Sequence, residues 1–111
     1  MAQGLVIQHE SPGEPEVSLV LIADLADMQA VVGGRIEYVS LALLPGVEMY
    51  INEEGKMSDP PLPLNPMATR LSGVAQFGDF IAGPALLIGA DEHGALADIP
   101  EAAIDEIAEL L

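Results

Sequence analysis

The sequence predicts an α+β fold: a small mixed, mostly antiparallel sheet with two or three helices packed on it. Three observations carry that expectation. From Val47 to Asn52 apolar and polar side chains alternate with a period of two, as on a half-buried strand. From Ala103 to Leu111 apolar residues recur at helical spacing, with carboxylates on the opposite face. Between them, apolar runs and helical stretches follow one another irregularly, which suits hairpins with helices gathered on one face of a curved sheet.

Taken in order, Leu5–Ile7 reads as a first strand and Val17–Ile22 as a second. Ser11-Pro12-Gly13-Glu14 between them suits a type II turn, because Gly accepts the positive φ its third position demands. Asp24 then reads as a helix N-cap, its carboxylate facing the free N–H groups of the first turn. Leu25, Met28, Val31 and Val32 share one helical face, and Gly33-Gly34 stops the helix at low conformational cost. Arg35–Leu41 alternates as a third strand, with Ile36 and Tyr38 on one face and Glu37 and Val39 on the other. After Leu44-Pro45-Gly46 turns the chain, Val47, Met49 and Ile51 point to one side of a fourth strand. Asn52-Glu53-Glu54-Gly55-Lys56 reads as a tight hairpin loop joining two antiparallel strands, with Gly55 as the left-handed residue of a bulged turn.

Asp59–Pro66 holds four prolines, so it is expected as an extended loop. It delivers Asn65 as N-cap and Pro66 as first residue of a short helix reaching Leu71. Phe80-Ile81 and Ala85–Ile88 read as strand, broken at Gly83-Pro84, and Asp91–Gly94 as a turn. A final amphipathic helix is expected over 98–110, with Asp98 and Glu101 as a capping box. Acids near its C-terminus oppose the macrodipole, so docking of Leu110 and Leu111 would have to hold the last turn.

Composition narrows function mainly by exclusion. The 111 residues leave room for one domain, 1–111. No cysteine is present, which excludes disulfides, thiolate nucleophiles and cysteine-based zinc sites. No apolar segment approaches a membrane span, and the first apolar run lacks a basic stretch before it, so a cytoplasmic location is expected. Eighteen acids face three bases, Arg35, Lys56 and Arg70, for a formal charge of −15. Such a surface repels phosphate backbones and anionic headgroups, so neither direct nucleic-acid nor membrane binding is expected. The acidity serves solubility or a high-salt cytoplasm, or it presents an acidic face to a basic partner, in the manner of nucleic-acid mimicry.

Four segments stand out together: Val32-Gly33-Gly34-Arg35-Ile36-Glu37, Asn52-Glu53-Glu54-Gly55-Lys56, Asn65-Pro66-Met67-Ala68-Thr69 and Gly78-Asp79-Phe80-Ile81-Ala82-Gly83. In order and spacing they resemble the family called domain of unknown function 3846, found in phages, plasmids and bacteria. The resemblance spans about Val17 to Gly89 and leaves the acidic C-terminal helix unmatched. It implies a mobile-element setting and a role accessory to replication, and it brings no catalytic or binding residues with it.

The candidate ligand-binding residues are Arg35, Asn65, Thr69 and Arg70. Thr69 and Arg70 lie one helical turn beyond Asn65, which brings an amide, a hydroxyl and a scarce cation together. Arg35 and Arg70 are the only guanidinium anchors for an anion. The alternative is that Asn65 only caps a helix and that both arginines pair with neighbouring acids. His9-Glu10 and Asp91-Glu92-His93 bring histidine beside carboxylate, but without the spacing of metal ligands on a helix. Glu53-Glu54 at a loop tip lacks the burial that acid–base work requires. No P-loop, dinucleotide fingerprint, nucleophile elbow or zinc-protease helix is present.

No catalytic residue, metal or cofactor is therefore assigned. The first expectation is a non-enzymatic accessory protein of a mobile element that binds a basic surface of a host macromolecule. The alternatives are a binder of a small anionic, nucleotide-like ligand, and a small hydrolase or transferase using His9 or His93. The oligomeric state is not readable.

Overall fold

The computed structural model describes residues 1–9, 14–41 and 44–110. The chain forms β1 (Ala2–His9), β2 (Pro15–Ile22), α1 (Leu25–Val32), β3 (Ile36–Val39) and β4 (Val47–Asn52). There follow α2 (Pro66–Ser72), a 3₁₀ turn (Val74–Phe77), β5 (Ala85–Ala90), β6 (Leu96–Ala97) and α3 (Glu101–Glu109). The strands make one antiparallel sheet in the order β2-β1-β5-β4-β3, with β6 also pairing β5. The α+β architecture is as the sequence predicts. The turn expected over Ser11–Glu14 lies largely outside the described residues.

Strand β5 is the hinge of the architecture. It sits between β1 and β4, and Leu86, Leu87 and Ile88 have no exposed surface. A strand buried on both faces reads as a continuous apolar run, which Ala85–Ile88 is. Its alternation sorts two cores. Ala85 and Leu87 join Leu5, Ile7, Val47, Met49 and Ile51 under α2 and α3. Leu86 and Ile88 join Ala2, Val6 and Ile22 under Met28 and Val32 of α1. Helices therefore cover both faces of the sheet, where one face was expected. Pattern alone cannot distinguish these arrangements, because the central strand β5 is apolar on both sides.

Local chemistry explains the helix ends. The Asp24 carboxylate accepts the Asp27 N–H at 3.0 Å, and the Asp27 carboxylate accepts the Ala23 N–H at 2.8 Å. This reciprocal pair closes the start of α1, and Gly33 ends the helix at φ 83°. At α3 the expected box is absent. The Asp98 carboxylate is engaged elsewhere, accepting the Gln3 N–H at 2.8 Å, so the helix starts later, with Pro100 at its N-cap. Ala103 and Ile107 pack into the core, and the carboxylates of Glu101, Asp105, Glu106 and Glu109 face outward. On the α1 side of the sheet, the Tyr38 and Tyr50 rings meet tilted by 52° at 5.8 Å between centroids, and the Tyr50 hydroxyl donates to the Glu48 carboxylate. Burial first, and then that bond, raises the Tyr50 hydroxyl well above the usual tyrosine range.

The segment after β4 departs most from expectation. Asn52–Lys56 turns the chain, but no strand follows to make a hairpin: the partners of β4 are β3 and β5. Prolines 60, 61 and 63 remove the donors a ladder needs. Gly55 is not left-handed. It is required because a Cβ would stand 2.6 Å from the Ala82 carbonyl oxygen. Phe80-Ile81 is likewise not a strand. One bridge, Leu64 to Ala82, is all that forms before Gly83 turns at φ 90°.

Candidate functional site

Helix α2 borders three grooves. Asn65 caps it and Pro66 occupies its first turn, as the sequence predicts. Met67, Ala68 and Leu71 enter the core, so Pro66 and Arg70, four apart, share the outer face. Three grooves meet at Arg70. The first, about 460 Å³, is lined by His9, Glu14, Pro15, Pro66, Arg70 and Leu110, among others. The second, also about 460 Å³, runs past Leu64, Thr69, Arg70, Gln76 and Phe80. The third, about 290 Å³, lies between α2 and α3 and brings Glu106 beside Arg70.

The four residues singled out from the sequence have separate roles. Asn65 is 1% exposed, and its amide donates to the Ile7 and Gly83 carbonyls, each at 2.9 Å. Its side-chain oxygen accepts the Ala68 N–H at 3.1 Å, so no polar atom remains for a ligand. The Thr69 hydroxyl donates to the Asn65 carbonyl at 2.8 Å and accepts the Ile81 N–H at 2.9 Å. It is a strut, and equally unsuited to act as a nucleophile. Arg70 is exposed and pairs with no carboxylate among the described residues. Arg35 is exposed at the entry to β3, where its carbonyl accepts the Glu53 N–H at 2.8 Å, and it lines none of the three grooves. Asn65, Thr69 and Arg70 are thus brought together; Arg35 is not.

Other members of the surface come from segments that sequence reasoning did not connect with α2. His9 stands in the first groove with its Nδ1 buried and unpartnered among the described residues. Both phenylalanines of the chain lie at or beside the second groove, Phe77 at 83% and Phe80 at 44% exposure, with Leu64 at 57%. Lys56 stands 4.7 Å above the Phe80 ring and hydrogen-bonds Asp79. That bond first, and the Phe80 N–H second, hold the Asp79 carboxyl below the usual carboxylate range. Two of the three basic residues and two of the four aromatic ones therefore gather on this side of an acidic molecule. The signal was present in the scarcity of these residue types; their convergence depends on how the turn after β4, α2 and the segment around Phe80 pack together.

His93 sits exposed in the Asp91–Gly94 turn, 3.5 Å from Glu92. Among the described residues, no group of three or more His, Asp or Glu converges as metal ligands would. No helix of the described residues is long and apolar enough to cross a membrane.

The family model described as Domain of unknown function (DUF3846) matches residues 3–111. The chain belongs to this family. The DUF3846 match takes in β1 and α3 as well as the stretch from Val17 to Gly89, so the acidic terminal helix lies within the matched domain. No curated protein and no solved structure matches the chain. The four segments that carry the DUF3846 resemblance touch one another. The Asn52 amide donates to the Val32 carbonyl at 3.2 Å, Gly55 lies against Ala82, and Asn65 N–H donates to the Ile81 carbonyl at 2.8 Å. These family-like motifs meet as a single brace behind the grooves.

Proposed function

We propose that the protein is a non-enzymatic accessory protein of a mobile element that acts in the cytoplasm by docking onto a basic host macromolecule. The observation that carries this reading is the gathering of uncovered Leu64, Phe77 and Phe80 beside Arg70 on an otherwise acidic exterior. Aromatic side chains and arginine are the residue types that dominate binding energy at protein interfaces. Apart from Asp27 and Glu48, every described carboxylate belongs to an exposed residue. Only Asp79 pairs with a lysine or arginine among them. Such a periphery steers and selects a basic partner, while the apolar centre supplies affinity. The test is affinity capture from host lysate with the wild type and with a Phe77→Ser, Phe80→Ser, Arg70→Glu triple variant. A basic protein retained by the wild type and lost at least about tenfold with the triple variant supports the proposal. Identical capture by both removes it.

A second reading is favoured by the first groove, where Arg70, His9 and a volume of about 460 Å³ suit a small anionic, nucleotide-like ligand. Native mass spectrometry of freshly purified protein distinguishes it: a retained anionic mass that disappears in Arg70→Met supports this alternative.

A further inference from the structure

β2 forms one edge of the sheet, and the direction of its backbone groups follows from neighbouring bonds. The Gln3 N–H donates to Asp98 at 2.8 Å, and the Gln3 carbonyl accepts the Ile99 N–H at 2.8 Å. Both groups of Gln3 thus point away from β2. In an antiparallel ladder each residue directs its N–H and C=O to one side, alternating along the strand. Leu5 and Ile7 therefore also turn from β2, and Gly4, Val6 and Gln8 turn toward it. Their partners Val20, Ser18 and Glu16 face β1. The outward N–H and C=O groups of β2 are consequently those of Val17, Leu19 and Leu21. Among the described residues β2 pairs only with β1.

The same three residues share the sheet face that holds Leu5 and Ile7, and Leu19 and Leu21 are 58% and 63% exposed. From Val17 to Ala23 there is no charged side chain. Natural edge strands are protected by shortness, charge or covering. The other edge follows that rule, since β3 has four residues and carries Glu37. β2 has eight residues and is protected only at its Pro15-Glu16 end.

We propose that β2 pairs antiparallel with β2 of a second copy across a two-fold axis at Leu19, joining two sheets into one. Charge selects the partner, and the positions of Glu16 and Pro15 within β2 select the register. Two molecules of charge −15 can approach closely only along an uncharged strip. With the axis at Leu19, Val17 faces Leu21 of the second copy and Glu16, the one carboxylate of β2, faces Ile22, while Glu14 and Asp24 come opposite each other only beyond the strand ends. An axis at Val20 would set Glu16 against Asp24, and an axis at Ser18 would set Pro15, which has no N–H, against the outward Leu21. The uncharged strip is roughly 24 Å long at the usual rise per residue, well short of a standard interface, so the dimer is weak and concentration-dependent.

Sedimentation velocity of the full chain over about 10–500 µM tests this. Dimer should grow with concentration, and its dissociation constant should fall as NaCl rises from about 0.05 M to about 0.5 M, because screening relieves repulsion between copies. Leu19→Glu sets two carboxylates across the axis and should weaken association at least about tenfold, with an unchanged monomer circular dichroism spectrum. The chain has no cysteine, so single variants report the register cleanly. Under oxidation Leu19→Cys should crosslink faster than Leu21→Cys, whose copies would lie roughly 13 Å apart along the strands, and faster than Tyr38→Cys at the other edge. Monomer at every concentration and salt, or equal crosslinking of the three variants, overturns the proposal. If Leu19→Glu fails to fold, the crosslinking rates alone decide.

Discussion

Asn65 shows how much of this structure hangs on one neutral amide. Its oxygen caps α2 while its nitrogen satisfies two carbonyls, one from β1 and one from the Gly83 turn. Losing a cap costs about 1 kcal/mol, and each buried carbonyl left unpaired adds about 1–3 kcal/mol. Asn65→Ala should therefore destabilise by roughly 3–7 kcal/mol in urea unfolding, more than an ordinary cap substitution. Asn65→Asp tests the division of labour. A carboxylate can still cap, but it meets the Ile7 and Gly83 carbonyls with no donor, so burial and repulsion raise its folded pKa. Its stability deficit should be largest at neutral pH and should shrink as pH falls through that raised value, where the neutral carboxyl donates one bond. Asp79 behaves in the opposite sense. Its depressed carboxyl should titrate below 3.8 by NMR, and in Lys56→Met it should return only part of the way, since the Phe80 N–H bond remains. Its contribution to stability is present above the unfolded pKa and is lost as pH falls through the lowered one.

Elements with a strong local signal were legible, and those decided by distant contacts were not. The stretches Val47–Asn52, Leu25–Val32 and Pro66–Ser72 announce themselves by period, cap and proline, and each formed as expected. The hairpin after Asn52 did not form, because β5, contributed by residues more than thirty positions later, takes the place beside β4. Packing between residues far apart in the chain likewise hides His9 from any local reading of the Arg70 grooves. α3 illustrates an intermediate case. Its periodicity was clear, yet its start was misplaced because Asp98 holds Gln3 across the sheet instead of capping its own helix. Ile107, at 1% exposure, fixes this helix to the core. Ile107→Ala should cost about 2–5 kcal/mol, seen as a lower urea midpoint with an unchanged slope. An unaltered midpoint would mean that the helix is merely appended.

At the scale of the whole molecule, repulsion among carboxylates opposes compactness, and the described residues offer one lysine–aspartate pair to offset it. Melting temperature should therefore rise as NaCl increases from about 0.01 M to about 1 M, over which the Debye length falls from about 30 Å to about 3 Å. Measured in dilute protein, this response is free of any association, whereas attachment to a basic partner should weaken over the same range. A falling melting temperature would show that ion pairs outweigh repulsion. The central position of β5 has a further consequence, for the order of events during synthesis. The strand that completes both cores leaves the ribosome after β1, β2, β3 and β4, and its pairing with β1 joins residues such as Gly4 and Ile88. Until it emerges, β1-β2 and β3-β4 are two separate hairpins, each too small to be stable alone. A nascent chain stalled before Ala85 should thus remain protease-sensitive, and one that exposes residues through Ala97 should become resistant in a single step.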